Sequence, residues 1–151
     1  MPRTEHFHTA ATWSEARALL TFEPKRPRDT AGRALQSLQI HIRDHKQRDL
    51  ALDDRTLEAH YGTFVVTQSH PGVEAARQRA IGTSYGQSMR EGQIAGHDAR
   101  IYELGPAPAE NDIDGRSPAV VAWQDGPAFF FVASTELPAI ELERIASSMY
   151  D

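Results

Sequence analysis

The chain has no cysteine among its 151 residues. That absence excludes disulfides, thiolate catalysis and zinc-thiolate sites together. Long apolar runs are missing as well. No stretch approaches the roughly 20 apolar residues that a membrane-spanning helix requires. The opening Met-Pro-Arg-Thr-Glu-His-Phe-His lacks the apolar core of a signal peptide. The expected location is therefore cytoplasmic if Met1 is the native start, and extracytoplasmic if the chain is an excised domain. Basic residues are outnumbered, 16 Lys and Arg against 21 Asp and Glu, for a formal net charge of -5. Nucleic acid and anionic membrane surfaces are poor default partners for such a chain, and no membrane insertion is expected. Gly-Lys-Ser/Thr and the dinucleotide fingerprint are absent, so no cofactor is expected.

What remains is an ordinary globular mixture, 40% hydrophobic and 25% charged. A chain of this length can bury roughly 70% of the surface its unfolded form exposes. Residues 1 to 11 read as an N-terminal lead-in, and 12 to 151 as a single domain. Thr12 and Glu15 have capping-box spacing ahead of a helix over about 13 to 20. Pro24 and Pro27 forbid its continuation and make the next segment extended. Leu38, Ile40 and Ile42 alternate with Gln39, His41 and Arg43, which is the period of a strand with one solvated face. A charged loop follows, and 57 to 68 returns as a strand with a bulge at Gly62. Pro71 and Gly82 bracket a middle helix over 73 to 81. Two strands are expected over 85 to 104, turning near Glu91-Gly92, before a Pro/Gly-rich loop.

The clearest signal runs from Pro118 to Met149. Two apolar runs meet at a Gln124-Asp125-Gly126 turn, and an amphipathic helix follows. At 100° per residue Pro138, Leu142, Ile145, Ala146 and Met149 share one stripe, with Ile140 off it. Ser134 or Thr135 should cap this helix. Within the second run alternation puts Phe129 and Phe131 on one sheet face and Phe130 on the other. These three, with Trp123, form the candidate apolar binding surface, a two-sided core strand being the plainer reading.

Candidate chemistry is otherwise thin, and no catalytic, metal or cofactor-binding residue is expected. His41 and His45 would suit a metal on a helix, but on a strand they lie about 13 Å apart. His6 and His8 read as exposed side chains. Glu110, Asp112 and Asp114 sit in a solvated loop where nothing would raise a carboxylate pKa. Gly82-Thr83-Ser84-Tyr85-Gly86 mimics a nucleophile elbow but follows a helix, which is the wrong order.

The succession Gly96-His97-Asp98-Ala99-Arg100-Ile101-Tyr102, an exposed loop, Val121-Ala122-Trp123-Gln124-Asp125-Gly126, Phe129-Phe130-Phe131-Val132 and Glu141-Leu142 with Ile145 to Met149 resembles a bacterial domain family. That family, of unknown function, occurs at the C-terminal side of anti-sigma factors and in lipoproteins. Its sheet architecture is similar to LolA and RseB. The resemblance covers roughly Tyr85 to Met149 and extends faintly to the first helix with its proline-bearing extended segment. It implies a non-enzymatic sensing, ligand-binding or protein-interaction module.

The expectation is an α+β fold: a curved antiparallel sheet of about five to seven strands with N-terminal, middle and C-terminal helices packed on it. The expected function is a regulatory or protein-interaction module that binds a protein partner or itself. A carrier or sensor for a small apolar ligand on the concave sheet face is the alternative.

Overall fold

The computed structural model describes residues 4–44, 55–70, 89–105 and 118–151. Among them run β1 (Thr4–Ala10), α1 (Trp13–Leu19), β2 (Ser37–Asp44), β3 (Arg55–His60), β4 (Val65–Ser69) and β5 (Met89–Ile94). Then come β6 (His97–Tyr102), β7 (Ala119–Asp125), β8 (Ala128–Ser134) and α2 (Ala139–Ser148). All strands join one eight-stranded sheet in the order β1-β2-β3-β4-β8-β7-β6-β5. Every pairing is antiparallel. Two four-stranded meanders are thus sewn together along β4 and β8, and β1 and β5 are left as the edges.

This corrects the expected three-helix α+β domain. The described residues form eight strands and two short helices, so the fold is closer to all-β. The helix expected over 73 to 81 lies outside the described residues. Two misreadings account for the extra strands. Residues expected to be a lead-in form β1, which holds a full ladder with β2 from Thr4↔Asp44 to Ala10↔Leu38. The segment expected to be one bulged strand is a hairpin instead: Tyr61 N donates to Phe64 O at 3.0 Å, and β3 pairs with β4 from Thr56↔Ser69 to His60↔Val65.

One sheet face is closed by both helices. Leu38, Ile40, Leu57, Ala59, Val66, Ile101, Val121, Trp123, Phe130 and Val132 are buried on it. Helix α1 begins as its capping box dictates: Thr12 Oγ1 accepts from Glu15 N at 3.1 Å. The Glu15 carboxylate reaches one residue further back than a standard box, accepting from Ala11 N at 2.8 Å. Ala16 and Leu20 are buried, with α1 lying against β1 and β2. Helix α2 buries Ala139, Leu142, Ile145 and Ala146 against β7 and β8 and reaches β5, while Ile140 is exposed. Its N-cap is Pro138, with no side-chain cap. Ser134 Oγ accepts earlier, from Glu136 N and Leu137 N at 3.0 and 2.9 Å.

Between the helices residues 20 to 36 cross the same face as a strap. Gln68 on β4, buried, clamps it twice, accepting from Lys25 N at 2.8 Å and donating to Lys25 O at 2.7 Å. Ser148 Oγ accepts from Asp29 N at 3.0 Å and ties the strap to α2. A buried amide is tolerated there because both its ends are satisfied. Among the described residues no helix is long and apolar enough to cross a membrane.

Candidate functional site

The four residues expected to form an apolar surface are divided by the pleat. Trp123 and Phe130 are paired across β7 and β8, lie on the helical face, and stack at 5.1 Å between ring centroids. Both are buried core residues. Phe129 and Phe131 point to the other face, their rings 6.0 Å apart. There they join Tyr102, Val120, Ala122 and Ala133 in a second, smaller apolar cluster. Tyr102, Val120, Ala122 and Phe129 are buried, and Phe131 is half-buried. The structure therefore brings together two pairs and not a four-residue surface.

On the face opposite the helices the sheet changes character from one meander to the other. The register aligns Gln39, Glu58 and Thr67 across β2, β3 and β4, then Phe131 and Ala122, then Arg100 and Glu91. A polar half thus meets the apolar cluster, and a charged border follows on β6 and β5. Against that border lies a groove of about 590 Å³, lined by Glu91, His97, Asp98, Arg100, Gln124 and the glycines of the adjoining turns among others. Trp123 also borders it, although its ring is buried on the helical side. Four ionisable side chains in the lining make this a polar groove.

At the groove's end a hydrogen-bond relay links three elements. The buried Trp123 indole donates from Nε1 to Tyr150 Oη at 2.9 Å, and Tyr150 Oη donates to Asp125 Oδ2 at 2.9 Å. His97 Nε2 faces Asp125 Oδ1 at 3.5 Å, and Lys25 Nζ lies 4.7 Å from the Tyr150 ring centroid. Burial first, and the adjacent Asp125 carboxylate as well, hold the Tyr150 phenol well above its ordinary range, against the lowering effect of the Trp123 N–H. Tyr150 is thus a committed proton donor. The relay satisfies a buried indole and fastens the residues after α2 to the β7–β8 hairpin.

The turns that shape this end are short. Ala95 and Gly96, both at positive φ (51° and 85°), form a two-residue hairpin loop between β5 and β6. The turn expected at Glu91-Gly92 falls inside β5 instead. Gly126, at φ 58°, turns β7 into β8 with Pro127 fixing the next residue.

The two sheet edges complete the surface. Among the described residues the large apolar side chains left exposed are Phe7 (67%), Ile140 (64%) and Met89 (44%). Phe7 is on edge strand β1 and Met89 on edge strand β5. The Phe7 ring is stacked on His41 of β2, centroids 4.3 Å apart and planes 6° from parallel. On the other edge Arg90 bridges to Glu103 Oε1 at 3.0 Å and to Glu143 Oε2 of α2 at 2.5 Å.

Of the histidines considered as ligands, His41 lies in β2 beneath Phe7 and His6 and His8 fall in β1; His45 is outside the described residues, as are Glu110, Asp112 and Asp114. Among the described residues no three His, Asp or Glu groups are placed to hold a metal ion. Sequence reasoning missed Phe7, His97 and Tyr150. For Phe7 the available signal was Thr4, Phe7 and Thr9, three good strand formers within seven residues. No protein-family model, curated protein or solved structure matches the chain.

Proposed function

We propose that this chain is a non-enzymatic, regulatory protein-interaction module that receives an extended strand along the outer edge of β1. One observation carries the reading. Phe7 stands two-thirds exposed on edge strand β1, whose ladder to β2 is unbroken from Thr4 to Ala10. Edge strands are ordinarily guarded by lysine, proline, a bulge or a covering element. The Thr4–Ala10 sequence contains no lysine and no proline, and its register has no bulge. Unpaired backbone groups on such an edge supply affinity to an added strand, and an exposed aromatic supplies selectivity. The pattern from Gly96 to Met149 that resembles a sensing and interaction domain supports the same class of function.

An apolar-ligand carrier has weaker support. The groove is lined by Glu91, His97, Asp98 and Arg100, and Phe130 and Trp123 are packed into the core. The test is affinity capture on immobilised wild-type chain and on a Phe7→Lys variant. Captured proteins are then purified and amide exchange is followed on residues 4 to 10. Prey retained by the wild type, lost by the variant, and protective of those amides is the expected result. Prey held equally by both, with protection elsewhere, overturns the reading.

A further inference from the structure

We infer that the strap across the helical face is a docking site for an extended acidic segment of a partner protein. Arg26 and Arg28 each take one carboxylate, from residues two apart in that segment. The site stands apart from the β1 edge and does not depend on it. Residues 20 to 36 hold four cations, Lys25, Arg26, Arg28 and Arg33, in a chain whose formal net charge is -5. Both acids of the same stretch are engaged: Glu23 pairs with Arg17 at 3.1 Å, and Asp29 Oδ1 accepts from Ala31 N at 3.0 Å. Among the described residues no carboxylate lies within ion-pair distance of Lys25, Arg26, Arg28 or Arg33. A solvated face ordinarily intersperses both signs of charge. A run of cations without carboxylate neighbours instead presents a local positive field to anionic groups.

The backbone holds these charges in place. Pro24 and Pro27 fix their own φ and bias Glu23 and Arg26 to extended conformations. Exposure then alternates: Arg26 and Arg28 are exposed, and Pro27 between them is buried. Both arginines therefore leave the same side of the strap, from Cα atoms about 6–7 Å apart. Gln68 grips the Lys25 backbone on one flank, and Ser148 Oγ accepts from Asp29 N on the other. A site pinned in this way has little left to order when a partner arrives. The Arg26 guanidinium lies over the Trp13 ring, 6.0 Å from its centroid. Stacking of that kind leaves the in-plane N–H groups open to a carboxylate. In an extended peptide, side chains two apart share one face and repeat at the same spacing of about 6–7 Å. Acidic residues at alternate positions thus set one carboxylate against each guanidinium fork. A long polyanion fits less well, because beyond the strap it meets a chain with an excess of acid.

Exposed ion pairs are individually weak, so a dissociation constant on the order of 100 µM is expected at low salt. The test is fluorescence anisotropy of a labelled heptapeptide of alternating glutamate and threonine, titrated with the full chain. Wild type should bind it about fivefold more tightly than a peptide of the same composition with its glutamates contiguous. Arg26→Ala and Arg28→Ala should each weaken binding about fivefold, with circular dichroism unchanged because both residues are exposed. Arg26→Lys should weaken it about twofold, since the charge stays and the fork is lost. Arg144→Ala, an exposed arginine of α2 paired with Glu141, should leave it unchanged. Binding that ignores Arg26→Ala and Arg28→Ala, or that falls equally with Arg144→Ala, overturns the site. Equal affinity for the two peptides overturns the alternate-carboxylate register, and no binding of either overturns the proposal outright. A single-stranded oligonucleotide of about ten nucleotides that binds more tightly than the peptide, through the same arginines, overturns the protein segment as occupant. None of these outcomes turns on residues 4 to 10, so the β1 edge stands or falls separately.

Discussion

The two edges of this sheet are alike in topology and opposite in defence. β5 ends the sheet with a buried residue, Ile94, and a guanidinium held by Glu103, just after β6, and by Glu143 of α2. Among the described residues the β1 edge shows a backbone ladder to β2, a small buried residue at Ala10 and an exposed phenyl ring. Hydrogen bonds to Glu143 first, and to Glu103, raise the Arg90 guanidinium above its ordinary range. Charged side chains on an edge strand are one of the ways an edge is guarded. An edge without such a group is available for pairing.

The comparison breaks most readily on the β5 side. Ile94 is buried at 1% exposure on the helical face. Ile94→Ala should cost about 2–4 kcal/mol, through lost transfer energy and an unfilled cavity. A urea midpoint shift of that size would show that β5 is anchored through its core face. A loss below about 1 kcal/mol would show that its ion pairs do the holding.

Tyr150 anchors the same side of the molecule and gives the next effect. Tyr150→Phe removes the acceptor for a buried indole N–H and the donor to Asp125, at about 1–3 kcal/mol. The alkaline limb gives a separate readout. A folded phenol raised above its ordinary value of 10.0 keeps its proton when the unfolded chain has released its own. Stability from this group is thus fully present below pH 10 and is lost as pH rises beyond it. Tyr61, raised chiefly by burial and lowered by Arg26, contributes in the same direction. Tyr150→Phe should therefore flatten the loss between neutral pH and pH 11 without abolishing it. An unchanged slope would mean that Tyr150 is solvated in solution.

How much of this was legible in the sequence depended on what each residue was doing. Leu38, Ile40 and Ile42 announced β2 because a strand flanked on both sides and covered by a helix buries one full parity. The β7–β8 hairpin and α2 were legible for the same reason, and Ile140 falls off the buried stripe as the angular reading expects. β1 was not, because an edge strand with one neighbour needs little apolar alternation. Gly92 misled in a more instructive way. A glycine inside an apolar pattern suggests a turn, but a Cβ at Gly92 would lie 2.6 Å from Ile101 Cδ1. A side chain there would have to displace the Ile101 methyl, and the turn lies at Ala95-Gly96. The relay from Trp123 through Tyr150 to Asp125 joins β7 to the residues after α2. No local spacing could display it. The division of the aromatic run was legible: alternation puts Phe129 and Phe131 on one face and Phe130 on the other, and the two clusters follow that division.

Arg90→Ala tests the defence itself. Both its partners are exposed or half-exposed, so the stability loss should stay below about 1 kcal/mol and shrink as salt rises. The larger consequence is expected in association. With the guanidinium removed, β5 should begin to pair at high concentration, and sedimentation should show larger species than the wild type forms. If Arg90→Ala leaves the association state of the wild type untouched, the charge is not what closes that edge.

The smallest change in monomer stability is expected where the surface consequence is greatest. Phe7→Ala removes a ring that is 67% exposed and loses its stack on His41. Its cost in dilute solution should be under about 0.5 kcal/mol, as for other surface positions. Added prey separates this from an effect on the strand. A partner that binds only the folded chain raises its apparent stability by mass action. The urea midpoint of the wild type should therefore rise as purified captured prey is added, whereas that of Phe7→Ala should rise much less. If Phe7→Ala instead destabilises the dilute monomer by more than about 1 kcal/mol, the ring is holding β1 onto β2. The two edges would then differ in how they are anchored, and the openness of β1 would no longer follow from the exposure of Phe7.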